Sequence, residues 1–258
     1  MNTPTTVVND YLHRLAIDHV PLADLSSLRT LHRTHLATIP LEDLGGCEDA
    51  AGTLPGLLNR ITQQRRGAPA TQLNLAFAML LVGLGFTVTP LTVTPNRLNS
   101  PRGIPRLALA VHLEADPYLV DVSGAGPDGP LLLQDKQGQA ASIDGFEIRM
   151  PDGALGVRGS DGPRYRVAAA RGLMDALEPD ALIRSKAVRP QIGEEAPVLS
   201  IRRQRGRTTL IGDHLIETNG TARTDVLLAP NQGARVIRER FGVVPSAREE
   251  RCLCARSR

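Results

Sequence analysis

A chain of 258 residues with a formal net charge of +3 is long enough to bury a substantial core, as one large domain or as two to three packed lobes. No run of about 18 apolar residues occurs, which argues against a membrane span; MNTPTTVVNDYLHRL lacks the basic-then-apolar order of a secretory leader, so the cytoplasm is the expected location. Aromatic residues make up 3% with no tryptophan, so a pocket must be walled mainly by aliphatic side chains, and three cysteines without a CxxC pair suggest neither a disulfide framework nor a metal site.

From Val7 to about Leu44 apolar residues recur at helical spacing, with turns at Pro21 and Pro40 and with Ser26 or Ser27 placed to cap LRTLHRTHLATI. His32 and His35 on that helix have no Cys or Glu at ligand spacing, so surface or capping roles are expected. Cys47, after IPLEDL, reads as a small buried or partly exposed side chain. LPGLLNRITQQ predicts a second helix, residues 67 to 72 a loop, and Leu73 to Leu84 a strongly apolar helix closed by Gly85. RGAP, at the head of that helix, lacks the glycine pattern and the Lys-Ser/Thr end of a phosphate loop.

After Phe86 the pattern changes to short valine- and leucine-rich segments separated by Gly and Pro. FTVTPLTV, RLALAVHLEA, PYLVDVS, GPRYRVAAA, VLSIRRQRG, RTTLIGDHLIET and ARTDVLLA read as strands of an antiparallel sheet or barrel, and RVIRERFGV as a short closing helix. Residues 94 to 105 and 123 to 130 read as loops. RRQRGR and the last arginines hold much of the basic excess, without aromatic residues to stack bases. A solvated basic end carrying Cys252 and Cys254 is expected there, and no nucleic-acid partner.

Taken in order, YLHRLAI, LRTLHRTHLATIPLEDL, QRRGAPATQLNLAFAMLLVGLGFTV, PYLVDVS and RTTLIGDHLIET followed by VIRERFGV resemble an arylamine N-acetyltransferase over nearly the whole chain. The resemblance implies an α+β fold related to papain-like cysteine proteases. Its parts would be an N-terminal helical lobe (1–86), a central antiparallel β-barrel (87–190) and a C-terminal α/β lid (191–245), with 246–258 a flexible basic tail. It also implies a Cys-His-Asp triad, with the cysteine in RGGxCxELN, the histidine at a strand start and the aspartate in VDVGFG. Acetyl-CoA acylates the thiol and an amine then takes the acyl group.

Transferred residue by residue, the match splits. RGGxCxELN corresponds to RGAPATQLN, which puts Ala70 at the cysteine, Ala68 at the second glycine and Gln72 at the glutamate. VDVGFG corresponds to VDVSGAG, so Asp121 is kept while Ser123 and Ala125 replace glycine and phenylalanine. Counting back from that strand puts Arg106 at the histidine position, and His112 lies six residues further on. An engineered exchange would account for Ala70 alone and not for Arg106, Gln72 and Ala125.

Losing the nucleophile of such a triad costs about a millionfold in rate, leaving roughly 10³–10⁴ over water. The expected reading is therefore a divergent member without ping-pong chemistry. By analogy with family amide synthases, it would be a non-covalent catalyst of condensation, amide formation or cyclisation on an acyl or polyketide-like substrate in secondary metabolism. A catalytically inactive binding or partner protein is the alternative, and an acetyltransferase with a displaced nucleophile the third. Arg106 and Asp121 are the candidate catalytic pair, with the guanidinium reaching the carboxylate where an imidazole would sit. Thr71, Gln72 and Ser123 are the candidate substrate-binding residues, and Glu42 and Arg66 are expected to brace the site loop. A carrier protein is a further candidate partner; no resident cofactor or metal is expected.

Overall fold

The computed structural model describes residues 4–44, 52–95, 106–114, 116–124, 126–133, 142–143, 145–149, 155–159, 162–169, 197–229 and 231–256. Cys47 and Ala125 fall outside them, as do the side chains of Cys252 and Cys254.

Helix α1 (Pro4–Arg14) turns Val8, Tyr11 and Leu12 inward at the spacing of one helical face. Helix α2 (Leu25–Thr38) buries Leu28, Leu31, His32, His35 and Leu36. Its cap is Asp24 rather than Ser26 or Ser27: the Asp24 carboxylate accepts the Ser27 N–H at 2.8 Å, and both serines lie inside the first turn. The helical pattern does not run on to Leu44 either, because the chain becomes extended at Ile39 and forms strand β1 (Leu41–Asp43). Helix α3 (Leu54–Thr62) is capped by Thr53 and carries Pro55 in its first turn, where a missing N–H costs nothing. Helix α4 (Ala70–Gly83) is apolar on nearly every side and forms the axis of this core, and Gly85 (φ +89°) lets the chain turn after it.

The eight-stranded antiparallel sheet has the order β5-β4-β3-β2-β9-β8-β7-β6. Its strands are β2 (Thr87–Pro95), β3 (Arg106–Leu113), β4 (Asp116–Val120), β5 (Leu131–Leu132), β6 (Ser142–Ile143), β7 (Phe146–Arg149), β8 (Gly156–Gly159) and β9 (Gly162–Ala169). The β5 edge returns to β6 and β7, so the sheet nearly closes into a barrel. One face of β3, with Leu107, Leu109 and Val111, packs on the helical core, while Ala108 and Ala110 face a second apolar cluster with Leu119, Tyr165 and Val167. This period-two alternation fixes the register.

A five-stranded sheet, β1-β10-β11-β12-β13, combines β1 with β10 (Val198–Arg203), β11 (Gly206–Ile211), β12 (His214–Asn219) and β13 (Ala222–Leu227). It packs through Leu199, Ile201, Leu210 and Leu215 on Ile237 and Phe241 of α5 (Gly233–Phe241). Within the expected flexible tail (246–258), Ala247–Arg256 instead form helix α6, and Glu249 enters a buried ionic cluster and is 1% exposed.

Candidate functional site

The loop from Gln64 to Pro69 delivers the chain to the head of α4, and one carboxylate organises it. Glu42, on β1 and fully buried, accepts Arg60 Nη2 at 2.8 Å, Arg66 Nε at 2.9 Å, Arg66 Nη2, and the Gly67 N–H at 2.7 Å. Gly67 is required there, since a Cβ would lie 2.1 Å from the Pro40 carbonyl oxygen. Glu42 and Arg66, the pair expected to brace the site loop, are bonded to one another here. Sequence reasoning missed Arg60 and Glu249, the latter accepting Arg66 Nη2 at 2.9 Å and Nη1 at 3.1 Å. Burial weakens the Arg66 charge, but the bonds from Glu42 and Glu249 outweigh it and push its pKa above the ordinary arginine value. Glu249 likewise lies below the usual carboxylate range, because the Arg66 bonds overcome its burial. No local pattern reveals a partner 183 residues away.

Ala70 is the first residue of α4, after Pro69 at the N-cap, with no side-chain cap. Asp121 follows directly on β4 and is fully buried. Its Oδ1 accepts Asn74 Nδ2 at 3.0 Å and the Ser123 N–H at 2.9 Å, while Asn74 Oδ1 accepts the Val122 N–H at 3.0 Å. Arg106 opens β3, and its Nη2 reaches Asp121 Oδ2 at 3.4 Å, a long and singly bonded contact. Burial would raise the Asp121 pKa, but the Arg106 charge and the bonds from Ser123 and Asn74 hold it below the usual range.

No imidazole reaches that carboxylate among the described residues. His112 lies at the other end of β3, exposed and 2.9 Å from Thr89 Oγ1. His32 Nε2 donates to the Asp121 backbone carbonyl at 3.2 Å, and His35 Nε2 lies 3.0 Å from the Tyr11 hydroxyl. Both histidines are fully buried rather than on the surface, because α2 turns this face onto Phe77 of α4. Burial pushes His32 down to about 4 and His35 to about 3, so both are neutral near pH 7. Of the candidate binding residues, Thr71 is buried with Oγ1 accepting the Leu107 N–H at 3.3 Å; Gln72 and Ser123 are also buried.

Tyr165, on β9, was not singled out from the sequence. It is buried, its ring centroid lies 5.3 Å from Arg106 Cζ, and its hydroxyl has no hydrogen-bond partner among the described residues. Burial and the Asp121 charge push its pKa up, which keeps it a neutral donor. Arg106 Nε is also buried without an acceptor among the described residues. Alternation in GPRYRVAAA, with Tyr165 and Val167 on one face, was the signal available. The described residues contain no group of three His, Cys, Asp or Glu that could hold a metal, and no helix among them is long and apolar enough to cross a membrane.

Residues 24–249 match the family model described as N-acetyltransferase. Among solved structures, the arylamine N-acetyltransferase of Mycobacterium smegmatis is 20% identical with a TM-score of 0.79, covering 96% of this chain and 97% of that one. The Mycobacterium marinum arylamine N-acetyltransferase in complex with CoA is 21% identical with a TM-score of 0.77, over 97% and 98% of the two chains. A Bacillus cereus arylamine N-acetyltransferase, reported with a unique Cys-His-Glu catalytic triad, is 16% identical with a TM-score of 0.71, over 93% and 99%. No curated protein sequence matches the chain.

Proposed function

Since this chain belongs to the N-acetyltransferase family, we propose that it is a divergent member that works without an acyl-enzyme. It would hold an acyl or polyketide-like compound of secondary metabolism non-covalently and promote its condensation, amide formation or cyclisation. One observation carries this reading: at the head of α4 stands a methyl group, Ala70, and the buried Asp121 carboxylate meets the Arg106 guanidinium rather than an imidazole. A thiol becomes a competent nucleophile through a base that takes its proton and a carboxylate that orients the base. A guanidinium stays protonated and serves neither role, but it stabilises negative charge developing on a carbonyl oxygen. Arg106 is the residue proposed to touch the substrate, with Asp121 positioning it and Thr71, Gln72 and Ser123 forming walls of the site. Orientation alone contributes up to about 7–11 kcal/mol toward a barrier, so chemistry does not require the thiol.

Incubation with acetyl-CoA followed by intact-mass measurement tests the reading. The expected result is no adduct of acetyl mass on any residue, whereas a stable or transient acetyl adduct overturns it in favour of a displaced nucleophile. Arg106→Leu separates catalysis or binding from a merely structural pair. Loss of ligand affinity in a folded variant supports the proposed role, and loss of stability with unchanged affinity refers Arg106 to charge neutralisation alone.

A further inference from the structure

The turn after Asp121 is stripped of side chains where polar groups approach it. Gly124 (φ +78°) lies under the Arg207 guanidinium, and a Cβ there would come within 2.4 Å of Nη1. At Gly126 a Cβ would meet the Tyr165 hydroxyl at 2.8 Å and Asp121 Oδ2 at 3.4 Å. The Arg207 guanidinium and the Tyr165 hydroxyl border this turn, and Arg106 reaches Asp121 at its start; Arg106 Nε, the Tyr165 hydroxyl and Ser123 Oγ are buried without hydrogen-bond partners among the described residues. Arg207, on β11, gives Nη1 to Ser200 Oγ at 3.1 Å and has no carboxylate partner among the described residues.

Among the described residues the Arg207 charge has no hydrogen-bonded counterion. Asp128 is held by Arg202, and Asp121 is shared among Arg106, Asn74 and the Ser123 N–H. Burial lowers the Arg207 pKa against the opposing pull of the Asp128 and Asp121 charges, and the Arg202 and Arg164 charges add to the lowering. A partly desolvated cation and orphaned donors are costly unless an acceptor of opposite charge completes them.

We infer that the ligand completing this site is a carboxylate, so the substrate is an acyl compound bearing a free carboxylate group. A neutral carbonyl would accept the hydrogen bonds and leave the Arg207 charge without a counterion. A phosphate dianion brings a tetrahedral rather than planar set of acceptors. A carboxylate brings one negative charge and lone pairs for several donors in one plane, the acceptor geometry that guanidinium groups recognise best. The inference rests on the non-covalent reading of the same site for where the ligand sits, and it adds what the ligand must carry.

Calorimetric titration with monomethyl succinate, dimethyl succinate and inorganic phosphate tests it, since the two esters share a skeleton and differ in one charge. The expected order is binding of the half-ester, weaker binding of phosphate and none of the diester. Arg207→Gln is expected to weaken the half-ester by about tenfold or more, and Tyr165→Phe by less. Arg207→Lys, which keeps the charge and loses the fork, is expected to fall between wild type and Arg207→Gln. Should Arg207→Gln fail to fold, the Tyr165→Phe and Arg207→Lys titrations decide alone. Equal binding of half-ester and diester, tighter binding of phosphate, or half-ester affinity unchanged in the folded variants overturns the carboxylate assignment. An acetyl adduct in the mass measurement overturns the non-covalent reading by itself, so the two failures are distinguishable.

Discussion

Two buried carboxylates bond near the head of α4, Glu42 to the Gly67 amide and Asp121 to Asn74, and their surroundings differ in kind. Glu42 is saturated, with two arginines and a backbone amide at short range and Glu249 closing the far side of Arg66. Asp121 holds its arginine through one 3.4 Å contact and leaves donors nearby unused. A fully satisfied network fixes geometry, whereas a partly satisfied one stores a demand for a further partner. On this contrast rest both the proposed function and the inferred carboxylate ligand.

Breaking the saturated side is expected to cost most. Glu42→Leu leaves Arg60 and Arg66 without their shared carboxylate and lowers stability by about 3–5 kcal/mol, read from urea unfolding. A loss under about 1 kcal/mol would show that the cluster braces nothing. Acid comes next per group, acting on the histidines between α2 and α4. Their folded pKa values lie below the unfolded value, so their contribution is complete above about pH 6.5 and is lost as pH falls toward 4. The expected loss is on the order of 3 kcal/mol for each histidine, mostly before Asp121 and Glu249 protonate. A urea midpoint flat across that window would contradict the buried neutral pair.

Arg106→Leu is expected to cost about 2 kcal/mol, less than Glu42→Leu, because Asp121 keeps the Asn74 and Ser123 donors. Without Arg106 the Asp121 pKa rises, so the deficit against wild type shrinks as pH falls toward 4. A deficit that grows in acid would reverse the sign of that coupling. Glu249→Gln is expected to lower stability by about 1–2 kcal/mol, since Arg66 retains Glu42. Tyr165→Phe is the smallest change, within about 0.5 kcal/mol of wild type in the absence of ligand, because its hydroxyl has no bond among the described residues to lose. A clear destabilisation would mean that the hydroxyl already has a partner.

The fold was legible in the sequence because its cues are local and ordered. The α4 apolar run, the alternation in RLALAVHL and the spacing from VDV back to Arg106 each act within a few residues. Arg106 could be placed against Asp121 because adjacent antiparallel strands tie their sequence separation to a register. What escaped was decided by side-chain reach or by distant chain. Asp24 outcompetes two serines as a cap by standing three residues ahead of the Ser27 amide. Glu249 is bound to a loop 183 residues away in sequence. The histidines read as polar marks on a helix, yet the helix turns that face inward.

Strand β1 has a consequence for the order of assembly. Glu42 pairs in register with Leu199, so the segment that carries the loop-bracing carboxylate has no sheet to join until the last quarter of the polypeptide has been made. At synthesis rates of about 5–20 residues per second, that wait is roughly 10–30 s for a nascent chain whose helices have long since emerged. The ribosome therefore releases the geometry around α4 late, and a chain truncated before β10 would leave its first lobe folded around an unfinished centre.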